Sequence, residues 1–188
     1  AYEMRESDWS STCALPICKE NEDGTITGSY CHCDGYLTYN GAMLLDHYNT
    51  KERVDKLLSF GNMSCLNEII EPDPSKPHTF DDRQPNVTVF YGRDRGEKGQ
   101  EAQKVKLEDI ESDGSWIEWC YVFGKDGKWR YFECGHLKEG LKDLKEGLDE
   151  EYKRLGFPRP EGYYGFFTQG DIAKRRADWQ KIKVVAMQ

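Results

Sequence analysis

Tyr30, Cys31, His32, Cys33, Asp34, Gly35 and Tyr36 place two thiols, an imidazole, a carboxylate and two phenols in seven consecutive residues. A second polar cluster, Tyr91, Gly92, Arg93, Asp94, Arg95, Gly96 and Glu97, closes the apolar run Val87, Thr88, Val89, Phe90. Two guanidiniums one residue apart after a strand end can fork onto phosphate or carboxylate oxygens, and Gly92 and Gly96 allow close backbone approach. The competing reading is an internal ion-pair net of Arg93 and Arg95 with Asp94 and Glu97, worth little where it is exposed. Tyr30, Tyr36 and Tyr91 can stack on a base or ring, or simply fill core. The expectation is one shared pocket that binds rather than catalyses, with Arg93, Arg95, His32, Tyr30, Asp34, Tyr36 and Tyr91 as its ligand-binding residues.

Other chemistries fit these residues less well. Zinc sites favour a Cys-x-x-Cys knuckle, whereas Cys31 and Cys33 on a strand share one face and send His32 to the other. No metal and no cofactor is expected. His32 and Asp34 could nominally serve a cysteine nucleophile, but nothing else marks one, and inert buried thiols are the simpler reading. The chain carries no Walker loop, dinucleotide fingerprint, zinc-protease helix or nucleophile elbow. No catalytic residue is assigned.

The elements that must position these clusters read as follows. Asn21, Glu22, Asp23 and Gly24 form a turn between Ile17 to Lys19 and the alternating run Thr25 to Cys31, a hairpin. Asn40 and Gly41 start a helix with Met43, Leu44 and Tyr48 at helical spacing; Thr50 caps a second, carrying Val54, Leu57 and Leu58, which Gly61 stops. Residues 71–85 hold four prolines and read as a long functional or mobile loop. Val87 to Tyr91 is a strand, Gly92 to Gln103 a polar flap, and Leu107 to Glu111 a single helical turn. Trp116 to Phe123 and Lys128 to Glu133 form an aromatic hairpin around Gly124, Lys125, Asp126 and Gly127.

After His136 an apolar stripe of Leu137, Leu141, Leu144, Leu148, Tyr152 and Leu155 predicts one long helix. The tetrad Leu, Lys, Glu, Gly recurs in it at 137–140 and 144–147, and each glycine weakens a helix by about 1 kcal/mol. Gly156 and Pro158 end it, an aromatic loop follows, and Asp171 caps a last basic helix with Lys174, Arg175, Arg176 and Trp179. The fold class is α+β: a mainly antiparallel sheet with covering helices and a C-terminal helical segment. Residues 1–16 lack a period and read as a non-native or disordered extension, leaving 17–188 as a single domain.

The chain has 188 residues, 37% hydrophobic and 32% charged, and a formal net charge of -8. That balance argues against general binding to a phosphate backbone. It leaves an ordinary solvated surface, or mimicry of nucleic acid toward a basic partner. No run is long enough to span a membrane and no secretory leader is visible, so the expected location is the cytoplasm. Seven scattered cysteines read as reduced thiols.

Asp23-Gly24, Tyr30-Cys31-His32-x-Asp34-Gly35-Tyr36, Asn40-Gly41, Leu44-Leu45-x-His47-Tyr48, Leu58-x-x-Gly61 and Tyr91-x-Arg93-Asp94-Arg95-Gly96-Glu97 together resemble a family of small, mostly uncharacterised proteins of bacteriophages, prophages and plasmids. The resemblance runs from Ile17 to Phe132. It departs at Cys33, a position commonly tryptophan in that family. It implies a non-enzymatic inhibitor of bacterial antiviral immunity in the infected host cell, probing two routes. One is a homo-oligomeric sponge that sequesters a nucleotide-derived signalling molecule. The other is an anti-CRISPR-type inhibitor whose acidic surface binds a Cas nuclease, a host defence protein. A nucleotide hydrolase or transferase acting through His32 and Asp34 is the third reading.

Overall fold

The computed structural model describes residues 15–112 and 118–188. Leu15–Glu20 (β1) and Ile26–Cys31 (β2) form the expected hairpin, with Ile17 opposite Ser29. Leu15 and Pro16 therefore belong to the sheet, and the segment set apart as an extension ends earlier than residue 16. Residues 1–14, with Trp9 and Cys13, lie outside the described residues.

Trp119–Phe123 (β6) runs parallel to β1 and antiparallel to Trp129–Glu133 (β7). The expected start of that hairpin, Trp116, is outside the described residues. Beyond β2 come Met63–Cys65 (β3), parallel to it, and Val89–Phe90 (β4), antiparallel to β3. Gln103–Val105 (β5) pairs with the start of β2, so that strand shares one edge between two neighbours. Lys142–Asp143 (β8) closes the far edge against β7. The strand order is β4-β3-β2-β1-β6-β7-β8, with most pairs antiparallel. Helices cover this sheet, and the fold is α+β.

Period-two alternation divides the side chains between two layers. Ile17, Tyr121, Phe123, Trp129 and Tyr131 enter the larger core, while Cys18, Cys120, Val122 and Phe132 enter the smaller one. Ala42–His47 (α1), Lys51–Ser59 (α2), Leu144–Leu155 (α5) and Gln169–Ala186 (α6) bury Leu44, Leu57, Leu148 and Ile172 in the larger core. Leu107–Ser112 (α4) covers the smaller core with Ile110. Two long-range bonds tie the sheet to the segments that cover its larger-core face: Tyr121 donates to the Gly35 carbonyl at 2.7 Å, and Trp129 Nε1 to the Tyr48 carbonyl at 2.7 Å.

Thr50 caps α2 by accepting from the Arg53 amide, as expected. Elsewhere the structure corrects the helix boundaries. Coiling before α1 begins at Leu37, in a wide turn through Gly41 that buries Asn40. The strand ending in Val89–Phe90 is shorter than expected, and the polar flap instead opens with a helical turn, Tyr91–Arg95 (α3), and returns to the sheet as β5.

The long helix after His136 is three pieces: a short turn at Leu137–Glu139, strand β8, and α5. Gly140 adopts a φ of +87°, outside the helical region, so it ends the first turn; edge pairing with β7 then outweighs the helical spacing of Leu137 and Leu141. Asp143 caps α5 by accepting from the Glu146 amide at 3.0 Å. The cap of α6 is Thr168, with Asp171 three residues in as the reciprocal half of a capping box. Among the described residues, no helix is long and apolar enough to cross a membrane.

Candidate functional site

The sheet separates the residues expected to share a pocket. Tyr30 lies in the smaller core, its hydroxyl 2.7 Å from His32 Nδ1, and Tyr91 packs against that same core. Asp34 takes a φ of +58°, a left-handed conformation that aspartate enters more readily than most side chains. This reverses the chain after β2, and Tyr36 donates to Asp34 at 2.9 Å, on the other side, where its ring meets Phe166 at 6.0 Å. His32 is thus oriented by Tyr30 and Asp34 by Tyr36, in separate pairs. Burial, helped by the Asp34 carboxylate, pushes the Tyr36 phenol up.

Arg93 does not fork outward. Its Nε donates to Asp94 Oδ1 at 2.6 Å, Nη1 to the Ile70 carbonyl at 2.6 Å, and Nη2 to the Thr88 carbonyl at 2.8 Å and Asp94 Oδ2 at 2.9 Å. The guanidinium lies over Phe60 and Phe90. With its donors spent on the fold, Arg93 follows the internal ion-pair reading.

Asp94 also accepts from the Phe90 amide at 2.8 Å and meets His78 Nε2 at 3.3 Å, both side chains 2% exposed. Gln84 donates its amide to His78 Nδ1 at 3.0 Å, which assigns the ring proton to Nε2, facing Asp94. The proline-rich loop is therefore pinned: Gln84 Nε2 further donates to the Asp73 and Lys76 carbonyls. Arg95 differs from Arg93. It is 55% exposed, pairs with Glu97 at 3.2 Å, and lies 4.8 Å over Phe80. Arg83 lies over the same ring at 4.9 Å, and Tyr91 stacks on it at 5.8 Å. Arg83 and Phe80, in the pinned loop, carry no local signal in the sequence, where each is an isolated arginine or phenylalanine.

A different hollow is lined mostly by residues from the second half of the chain. A cleft of about 630 Å³ runs between β7, β8 and α5, lined by Glu133, Asp143, Glu146, Glu150 and Glu151 with Lys142 and Arg154. Arg154 pairs with Glu151 at 2.5 Å, and Asp143 is occupied as a helix cap. Glu133, Glu146 and Glu150 have no ion pair among the described residues. A neighbouring cleft of about 350 Å³ shares Leu37, Glu133, Glu151 and Arg154, and adds Tyr36, Trp119, Phe166 and Phe167. Phe166 is 67% exposed, and the buried Trp119 indole N–H has no partner among the described residues. The two clefts form one groove, acidic at one end and aromatic at the other, which Tyr36 alone of the expected site residues lines.

Among the described residues, no group of three or more His, Cys, Asp or Glu is arranged to hold a metal ion. Comparison with protein families, with curated proteins and with solved structures found no match to this chain.

Proposed function

We propose that this is a non-enzymatic binding protein that docks its groove onto a Lys- and Arg-rich surface of a protein partner, acting as an inhibitor of a host-defence nuclease by occupying its nucleic-acid channel. One observation carries this reading: Glu133, Glu146 and Glu150 line one cleft in which acids outnumber Lys142 and Arg154, and none of the three is ion-paired among the described residues. Like charges in excess repel one another, so a cationic surface entering the cleft relieves that repulsion while its own charges find partners. The exposed Phe166 and half-buried Tyr36 and Trp119 at the other end offer ring faces to arginine guanidiniums.

The direct test uses an oligo-arginine peptide and a panel of Cas nucleases. The wild-type chain should bind the peptide with an affinity that falls steeply with salt, and should co-elute with a nuclease and reduce its cleavage. Replacing Glu133, Glu146 and Glu150 together by glutamine should weaken peptide binding by roughly 100-fold, at about 1 kcal/mol for each charge removed. Binding that is absent in the wild type, or unchanged in the triple variant, would sink the proposal.

A second reading, sequestration of a nucleotide-derived anion, is favoured by a specific arrangement: Arg83 and Arg95 converge on Phe80 beside Tyr91. Arg95 keeps an exposed guanidinium there for a phosphate, and Phe80 and Tyr91 supply rings beside it for a base. Thermal shift against cyclic and ADP-ribose-type nucleotides tests it, with Arg95→Ala as the variant that should abolish any shift.

A further inference from the structure

Two cysteines that the groove does not use lie at the junction of β2 and β3. Cys31 is in register with Met63, and past the end of β2 the two segments stay bonded, the His32 amide donating to the Met63 carbonyl at 3.1 Å. The Cys33 amide donates to the Ser64 carbonyl at 2.9 Å, which fixes the two segments side by side. Neighbouring strands lie about 4.8 Å apart, within the Cα separation of roughly 4.4–6.8 Å that a disulfide requires. Each thiol acts on the ionisation of the other, Cys33 lowering Cys65 and Cys65 raising Cys33. Both are half-buried and free, unlike the fully buried Cys18, Cys31 and Cys120.

Cys65 also has an activating environment. Arg83 Nη1 is 3.8 Å from its sulfur and the Ser64 hydroxyl 3.8 Å. Tyr39, Tyr91, Asp34 and Cys31 are the other titratable groups that act on the pair. We infer that Cys33 and Cys65 form a redox-active dithiol, with Cys65 the attacking sulfur and Cys33 the resolving one, that reacts with small-molecule disulfides of the glutathione class.

The chemistry balances in two exchange steps. The Cys65 thiolate attacks one sulfur of the disulfide, forming a mixed disulfide and expelling one small thiolate. Cys33 then loses its proton and attacks the Cys65 sulfur, expelling the second small thiolate. Two protein thiols are oxidised to one disulfide, and one small-molecule disulfide is reduced to two thiols. The geometry sets the order. The Cys33 hydrogen bond, followed by Ser64 and the Arg83 charge, holds the Cys65 thiol down to about 6 against the opposing effect of burial. Donation to Cys65, with burial, pushes the Cys33 thiol up.

The test uses the full chain in a Cys13→Ser background, incubated with oxidised glutathione at pH 7 and read by intact mass and peptide mapping. The expected product has lost two hydrogens and carries a Cys33–Cys65 cross-link, while Cys33→Ser stops as a glutathione adduct on Cys65. Iodoacetamide should label Cys65 at pH 7 at least about tenfold faster than Cys134, which burial pushes up to about 12. Arg83→Gln should slow that labelling. A glutathione adduct that persists on the wild-type chain, a cross-link between other cysteines, or equal labelling of Cys65 and Cys134 would overturn the inference; these readings need only the wild-type pair and stand even if a variant fails to fold.

Discussion

Gly61→Ala is expected to destabilise the protein by about 3–5 kcal/mol, combining left-handed strain of about 1–2 kcal/mol with the loss of hydrogen bonds worth about 1 kcal/mol each. Gly61 ends α2 with a φ of +76°, and a Cβ built there would stand 1.9 Å from the Gln100 carbonyl oxygen. That oxygen cannot simply retreat, because it accepts from the Asn62 amide at 2.6 Å. Asn62 is in turn a junction: its side chain accepts from the Tyr30 amide at 2.9 Å and donates to Gln100 Oε1 at 3.1 Å, and its carbonyl accepts from the Tyr91 amide at 3.1 Å. Moving Gln100 therefore disturbs β2 and α3 together. Gly96→Ala is the control. Its φ is +73° but nothing lies within 4 Å of the added carbon, so only the strain of about 1–2 kcal/mol applies. Urea unfolding of both variants measures the difference, and equal losses would mean that the Gln100 contact carries nothing.

The contrast between those two glycines shows what local sequence can and cannot tell. Both positions are legible as turn glycines; only the fold tells which one has a neighbour. The same holds for the strands. The aromatic runs on either side of Gly124, Lys125, Asp126 and Gly127 announce a hairpin, because a short apolar run bounded by turn residues is a local signal. The Thr50 cap and the hairpin turn at Gly24 are local in the same sense. The stripe from Leu137 to Leu155 misleads because its spacing runs unbroken through Gly140, while the edge pairing of Lys142–Asp143 with β7 depends on a partner that periodicity does not reveal.

The site was less legible than the fold for the same reason. The seven-residue cluster at 30–36 is dense in chemistry, yet β2 ends at Cys31 and the left-handed Asp34 reverses the chain, so Tyr30 and His32 part from Tyr36. Glu133, Glu146 and Glu150 look like ordinary solvated acids until β7 and α5 are set side by side. Cys33 and Cys65 carry no shared motif, and only the parallel pairing of β2 with β3 brings them together. Arg93 and Arg95 present the sharpest case. Identical residues two positions apart on a single helical turn divide into a locked side chain and an exposed one.

That division makes Asp94→Ala the decisive substitution for the arginine motif, with an expected loss of about 3–5 kcal/mol, the usual consequence of removing one partner from a buried ion pair. The variant leaves the Arg93 guanidinium without its counter-ion, and strips the acceptor from the Phe90 amide and from His78 Nε2. The proline-rich loop loses its anchor to α3 at the same stroke. Arg95→Ala, by contrast, removes an exposed pair with Glu97 and should change stability by no more than about 0.5 kcal/mol. Acid titration adds an independent reading. Burial alone would raise the Asp94 carboxyl, but Arg93, the Phe90 amide and His78 together hold it below its ordinary value of 3.8. A depressed carboxyl contributes stability that is fully present above its unfolded value and is lost as pH falls through its folded one. The wild type should therefore lose stability below about pH 4, and Asp94→Asn, which cannot ionise, should start lower and show a flatter acid limb. If Asp94→Ala unfolds at the wild-type urea concentration while nucleotide binding disappears, the arginine motif serves a ligand and not the fold, and the assignment of Arg93 as a structural clamp fails.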